Sequence, residues 1–253
     1  MVVRQKNDGV SEGHFEQYLD FWKPQRERFK ETLSKELNEK HKARVLSNLA
    51  DTNLQILLAE YSNGSSIAAL ESEGWLFHES LLNSISSSEN LAPDNILEQY
   101  IECTWILSFA YFFNADKSDV EKIIQHIPYT GKDKLIDRLI AAIIPDHPVS
   151  QDIAFPDVYK PICDAMAVYD KDARDLLVQL FLKKYYPSLK KHDVTWYDSH
   201  KEKDPEYNFY TGYWVFELAA IAVMCGWDDS DFRDNLYYPK NLADWKLEQL
   251  TQP

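Results

Sequence analysis

Glycine is scarce in this 253-residue chain, at seven residues. That is too few for an all-β protein dense in tight turns, or for a fold built on glycine loops. Cysteine is scarcer still. Cys103, Cys163 and Cys225 are odd in number, far apart and set in apolar stretches, with no CxxC among them. This argues against a disulfide framework or a zinc site and suits buried thiols in a reducing compartment. Long apolar runs are missing: those around 103–113 and 218–227 fall short of the roughly 18 residues that a membrane span needs. The N-terminal stretch MVVRQKNDGVSEGH lacks the apolar core of a signal peptide. The expectation is a cytoplasmic chain with no membrane partner.

Recognisable chemistry is equally thin. GxGxxG, Walker A, GxSxG, HExxH and the zinc-deaminase pattern are all absent. The seven histidines (14, 41, 78, 126, 147, 192 and 200) never fall four apart, so no helical face offers two imidazoles to a metal. No catalytic residue, metal or cofactor is therefore expected. One carboxylate is oddly placed: Glu217, inside Tyr213-Trp214-Val215-Phe216-Glu217-Leu218-Ala219-Ala220. A buried carboxylate must be hydrogen-bonded, paired or protonated. Glu217 is then either an internal tether or a general base, and a base lacks a visible partner group here.

What the chain has in quantity is acid and aromatic rings. There are 41 Asp and Glu against 27 Lys and Arg, a net charge of −14, with 12 Phe, 15 Tyr and 7 Trp. Such a field repels phosphate backbones and anionic lipid and attracts cationic partners, so direct nucleic-acid binding is disfavoured. The imbalance is local. No Lys or Arg lies between Arg44 and Lys117, where Asp51, Glu60, Glu71, Glu73, Glu79, Glu89, Asp94, Glu98, Glu102 and Asp116 contribute −10 of the −14. An unrelieved negative surface follows, unless bases from elsewhere fold over it. It is either a solvated face that keeps an apolar bundle soluble or a landing site for a basic protein. Glu60, Glu71, Glu73 and Glu79 are its candidate contacts. Asp228, Asp229 and Asp231, with Asp234, form a second acidic cluster, read mainly as helix-cap chemistry.

Apolar residues recur at helical spacing along almost the whole chain, and no stretch alternates long enough to argue a sheet. The reading is all-α: a compact bundle of roughly nine to eleven helices. The first spans about 11–42, carrying Phe15, Leu19, Trp22, Phe29, Leu33 and Leu37, with Pro24 expected to cause a kink or break near Trp22–Lys23. Helices follow at about 43–62, 67–85 and 96–113. Ser118-Asp119-Val120-Glu121 reads as a capping box opening a short helix to Ile127. Further helices follow at about 133–144, 157–169, 171–186 and 207–225, then a short helix starting at Trp227–Phe232 and a Tyr237-Tyr238-Pro239 turn before Asn241–Leu250. Three prolines between 145 and 156 suggest a joint dividing an N-terminal region, 11–145, from a C-terminal region, 146–250. Trp196 and Tyr197, in a long polar connection, either plug the core or anchor a partner.

At Tyr210-Thr211-Gly212-Tyr213-Trp214-Val215-Phe216-Glu217-Leu218-Ala219-Ala220 the chain resembles the C-terminal region of immunity proteins that neutralise PoNe-type nuclease toxins, which show a GYW-x-[FW]-E-x-A-A core. The acidic cap and YYP turn of that family match Gly226-Trp227-Asp228-Asp229-Ser230, Phe232 and Tyr237-Tyr238-Pro239. Its N-terminal region is matched at Leu57-Leu58-Ala59-Glu60-Tyr61-Ser62-Asn63-Gly64 and by the apolar stretch Tyr100 to Phe113, with Trp105 and Ser108. Leu218 and Trp227 depart from the pattern, where Ala and an aliphatic residue are usual.

The resemblance runs from about Phe15 to Leu247. It implies an all-helical cytoplasmic protein without catalysis, whose partner is a cognate, basic DNase toxin delivered between bacteria, for example by type VI secretion. Within the motif, Tyr210, Gly212, Tyr213, Trp214, Phe216 and Glu217 read as packing rather than interface. A helical adaptor unrelated to toxins, or an enzyme using Glu217, are the competing readings.

Overall fold

The computed structural model describes residues 13–86, 96–202 and 207–251. Among these it contains ten α-helices, one 3-10 turn (Ser199–Lys201) and no strand. None of the described helices is long and apolar enough to cross a membrane. The chain divides into two compact units: Met1–Leu91 with Asp198–Gly212, and Ala92–Tyr197 with Tyr213–Pro253.

In the first unit, α1 (His14–Leu33), α2 (Glu39–Asn63) and α3 (Ile67–Ile85) pack with α2 in the middle. Two neighbours explain why α2 is buried along most of its length, from Val45 to Ser62. Its ends follow from local chemistry. Asn38, extended at ψ 154°, accepts the His41 amide at 2.9 Å and so satisfies a first-turn donor. Gly64 turns left-handed at φ 81°, letting the Ser65 amide reach the Glu60 carbonyl at 3.0 Å. Of the expected kink or break near Trp22–Lys23, a break does not occur: α1 runs on through Pro24. Pro24 and Asp20 lie four apart on an exposed row, so the carbonyl that proline leaves unbonded is open to water. The break falls instead at 34–38. The returning segment 207–212 is held on this unit by His14 Nε2, 2.8 Å from the Tyr210 carbonyl, and by the Ser62 hydroxyl, which donates to the Thr211 carbonyl.

The second unit holds α4 (Leu97–Phe112), α5 (Lys117–Ile123), α6 (Lys134–Ala141), α7 (Pro156–Ala165), α8 (Lys171–Lys191), α9 (Phe216–Met224) and α10 (Lys240–Thr251). Helix α4 packs on α6 and α9, α7 on α8, and α10 on α9. Helix α9 is buried from Phe216 to Val223, as expected of a helix apolar on all sides. The expected capping box does not form. Asp116, one residue before Lys117, takes the N-cap position of α5.

The proline-rich stretch 145–156 lies within this unit and is fastened to α6 by two buried carboxylates. Asp133 accepts from the amides of Ile136 (2.9 Å) and Ala154 (2.8 Å) and from the Tyr100 hydroxyl (2.8 Å). Asp137 accepts from the amides of Gly131 (2.8 Å) and Ser150 (3.0 Å), with His147 Nε2 at 2.8 Å. Burial raises the Asp133 pKa, and the hydrogen bonds from the Ala154 and Ile136 amides and Tyr100 offset part of the rise.

Candidate functional site

The candidate acids separate once their neighbours are known. Glu60 is buried and bound by Lys23 Nζ at 2.6 Å, and Ser65 donates to its other oxygen. Glu73, also buried, pairs with the Arg26 guanidinium. Both bases come from α1, so the expectation of an unrelieved negative surface is corrected here: α1 lays two cations over the α2–α3 acids. Sequence distance hid this, since Lys23 and Arg26 precede the base-free window. Glu79 is exposed and Glu71 half-buried, and neither has an ion-pair partner among the described residues. Asp51 is exposed as well. With Glu39, exposed in the first turn of α2, these three are the carboxylates of the first unit's α2 and α3 that lack an ion-pair partner among the described residues. Glu89 and Asp94 lie outside the described residues.

Asp228, Asp229 and Asp231 belong to the second unit and sit in a turn-rich stretch between α9 and α10 rather than at a helix start. Asp228 accepts the Ser230 amide at 3.0 Å, which lowers its pKa. Asp229 pairs with Arg233 at 2.6 Å, and Arg233 grips both oxygens of Asp244 at 2.9 and 3.0 Å. Asp231 binds Lys171, which also reaches Asp175 at 2.7 Å. The cluster therefore ties the 226–239 loop to α8 and α10. Asp228 and Asp231 nonetheless keep more than half of their side-chain surface.

The aromatic motif is not helical where the sequence expected a helix from Tyr207. Residues 208–215 are irregular, and α9 begins only at Phe216. Gly212 stands at φ 102°, in the region that favours glycine. Other groups take over the backbone bonds that a helix would have made. The Val215 amide donates to the Tyr237 carbonyl at 3.0 Å, while the Trp214 carbonyl receives Trp105 Nε1 at 3.2 Å and the Tyr185 hydroxyl at 3.4 Å. Tyr210, Tyr213, Trp214 and Phe216 are all buried. Tyr213 stacks with Trp196 (5.9 Å), and Phe216 meets Phe109 (4.7 Å). Trp196 therefore packs inward, against Trp105 as well.

Glu217, in the first turn of α9, is 0% exposed. Its Oε1 accepts from the Tyr159 hydroxyl at 3.2 Å, and its Oε2 has no partner. Burial pushes its pKa up to about 8; its own backbone amide and the Tyr159 and Thr104 hydroxyls act in the opposite direction. Glu217 is thus a sealed, neutral acid near pH 7, out of reach of any substrate. An enzyme built on Glu217 loses its residue. Among the described residues no three His, Cys, Asp or Glu gather to hold a metal.

One cluster escaped the sequence reading. Phe21 and Phe209 are exposed beside a cleft formed by α1 and the 207–209 segment. Phe21 lies off the apolar row of α1, between Leu19 and Trp22, and that displacement was its signal.

Two family models match the chain. The N-terminal model, "PoNe immunity protein (PoNi), N-terminal", matches residues 10–125, and its C-terminal counterpart matches residues 131–242. The chain belongs to the PoNe immunity protein family. The C-terminal match contains the buried Tyr210–Glu217 motif and the Asp228–Asp231 turn; the N-terminal match contains α1 with its Lys23 and Arg26 latches. Among solved structures, protein PA2201 from Pseudomonas aeruginosa is similar in fold. Its TM-score is 0.74 at 18% identity, covering 98% of this chain and 92% of that one. None of the curated proteins matches the chain.

Proposed function

We propose that this protein binds and neutralises a cognate DNase toxin of the PoNe type, delivered by a neighbouring bacterium, for example through type VI secretion. On this reading it acts in the cytoplasm, where the DNA is, and has no catalysis of its own. The observation that carries the reading is the pair of family matches, which together take in residues 10–125 and 131–242.

The charge distribution supports it physically. A DNase must hold a polyanion and so presents cations around its active site. A partner at −14 is drawn to that surface, and complementary charge accelerates encounter more than it deepens final affinity. In this reading Glu71 and Glu79 steer the toxin to the first unit, with Asp228 and Asp231 as a second acidic patch. Glu60 and Glu73 act indirectly, by fixing α1.

Co-expression tests the proposal. The product of the adjacent gene, where a cognate toxin is expected, is induced in cells with or without this protein, and survival and chromosome integrity are scored. Protected cells with intact DNA are the expected result. Unchanged killing, together with no co-purification of the two proteins, overturns the reading.

A further inference from the structure

We infer that Trp75, on the solvent face of α3, is the contact anchor for the toxin, with an Arg or Lys side chain of the nuclease lying on its indole between Glu71 and Glu79. This rests on the function proposed above and gives it a location. The chain has seven tryptophans, all among the described residues, and Trp75 alone is exposed, at 42%. An indole left in water forgoes the burial that its large apolar area would gain inside. Tryptophan is also among the residues enriched at binding hot spots.

Helical spacing sets Glu71 and Glu79 one turn to either side of Trp75 on a single row, each about 6 Å away along the axis. The row is held from behind. Leu70, Phe77 and Leu81 are buried on the opposite face of α3. From α2, Asn53 Nδ2 donates to the Leu76 carbonyl at 3.2 Å and to the Ser80 hydroxyl at 3.0 Å. His78 meets the indole edge to face at 6.3 Å. The helix therefore presents ring and carboxylates as a fixed array, and little ordering remains to oppose binding.

Charge selects the occupant. Neither Glu71 nor Glu79 has an ion-pair partner among the described residues, and α3 itself contains no Lys or Arg. The two bases that α1 lays over α2 and α3 are bound by Glu60 and Glu73. Arg44 is the last base before the acid-rich window. Since Asn53 stands level with Leu76 and Ser80, Arg44 lies about 14 Å further down the α2–α3 hairpin, beyond a screening length at 0.1 M salt. The segments outside the described residues keep the same sign. They hold Arg4, Lys6 and Lys203 against Asp8, Glu12, Glu89, Asp94, Asp204 and Glu206, and the one that continues α3, 87–95, has no base. An open π face between two carboxylates attracts guanidinium and ammonium groups and repels phosphate or anionic lipid. Adhesion then resides in the ring, while the flanking acids guide the cation to it.

The test measures binding kinetics between the product of the adjacent gene, where a cognate toxin is expected, in catalytically inactivated form, and four full-length proteins: wild type, Trp75→Ala, Trp75→Phe and Trp75→Leu. Thermal melts confirm that each is folded. Trp75→Ala should bind roughly 30-fold more weakly, chiefly through faster dissociation. Trp75→Phe, which keeps a π face, should stay within about fivefold of wild type, whereas Trp75→Leu, apolar without one, should lose about tenfold. Wild-type binding by Trp75→Ala overturns this inference and leaves the proposed function standing. Wild-type binding by Trp75→Leu overturns the cationic occupant, since apolar area alone would then suffice. If wild type itself does not bind, the functional reading fails and the anchor falls with it.

Discussion

Tyr159 donates its hydroxyl hydrogen to Glu217 Oε1 at 3.2 Å inside the second unit, and no donor meets the other carboxyl oxygen. Tyr100 and Tyr185 complete the surrounding wall; burial raises both phenols well above their usual pKa, and Glu217 adds to the rise. The phenols stay neutral, and it is removal from water that keeps the proton on Glu217. The pair tethers α9 to α7. It also makes the fold sensitive to pH in a direction opposite to that of most carboxylates.

The folded state raises the Glu217 pKa from 4.5 to about 8, so it binds the proton more tightly than the unfolded chain does. The stabilisation is fully present below pH 4.5 and is lost as pH rises through 8. Between pH 6 and 9 wild type should lose about 3 kcal/mol more than Glu217→Gln, which cannot ionise. Urea unfolding of both proteins at the two pH values measures this. Parallel pH dependence would show that the side chain is solvated.

Lys246 presents the mirror case. Its ammonium donates to the Phe112 carbonyl at 3.3 Å and to Asn114 Oδ1, and lies 4.7 Å from the centre of the Tyr111 ring. Burial lowers its pKa to about 8, so stability contributed by shedding the proton grows from pH 8 towards 10.5. Lys246→Met should remove that rise and leave the α4 C-terminal carbonyl without its donor. The expected loss at neutral pH is about 1–3 kcal/mol, set against the relief of a buried charge. Thermal melts at pH 7.5 and 10 read both effects.

How far the sequence revealed these arrangements depended on the range of the physics involved. Helix α3 could be placed from Ile67 to Ile85 because its apolar period and the Gly64 stop are local signals. The Tyr210–Val215 stretch could not. Its apolar density looks helical, while the partners that hold it irregular, Trp105, Tyr185 and Tyr237, lie elsewhere in the chain. The acid-rich window was plain to read, but its partial neutralisation by Lys23 and Arg26 required α1 to fold onto α2 and α3. Phe21 looked incidental until 207–209 returned beside it.

The α1 latch should be worth more than an ordinary surface pair. Arg26 and Glu73 each retain about a tenth of their side-chain exposure, 11% and 12%. Arg26→Ala strands Glu73 in that position, and we expect a loss of about 2 kcal/mol. Arg26→Ala/Glu73→Ala should recover part of it, because no unpaired charge remains. A double-mutant cycle by chemical denaturation, with additive losses as the unfavourable outcome, decides the matter.

Asp137 gathers the amides of Gly131 and Ser150 and the His147 ring on one carboxylate. Asp137→Ala should therefore free the 145–156 stretch while leaving α6 helical. Hydrogen exchange is the direct measurement, with the Ser150 amide accelerated and the amides of α4 unaffected. An unchanged Ser150 amide would mean that packing, rather than this carboxylate, holds the stretch.

Steering by the free acids can be separated from adhesion because the two depend differently on salt. Glu71 and Glu79 lie on α3 two turns apart, without ion-pair partners among the described residues, so lysine at both positions changes the local field by four charges while leaving the buried Glu73 pair intact. Long-range attraction acts before contact and is screened over roughly 10 Å at 0.1 M salt. Glu71→Lys/Glu79→Lys should therefore slow association with the toxin by about tenfold at low ionic strength, with little change in dissociation. The difference should close as salt approaches 1 M, where the screening length is about 3 Å. Stopped-flow association across a salt series provides the measurement. A rate defect that persists at high salt would place these side chains in direct contact with the toxin, and no defect at any salt would remove α3 from the encounter.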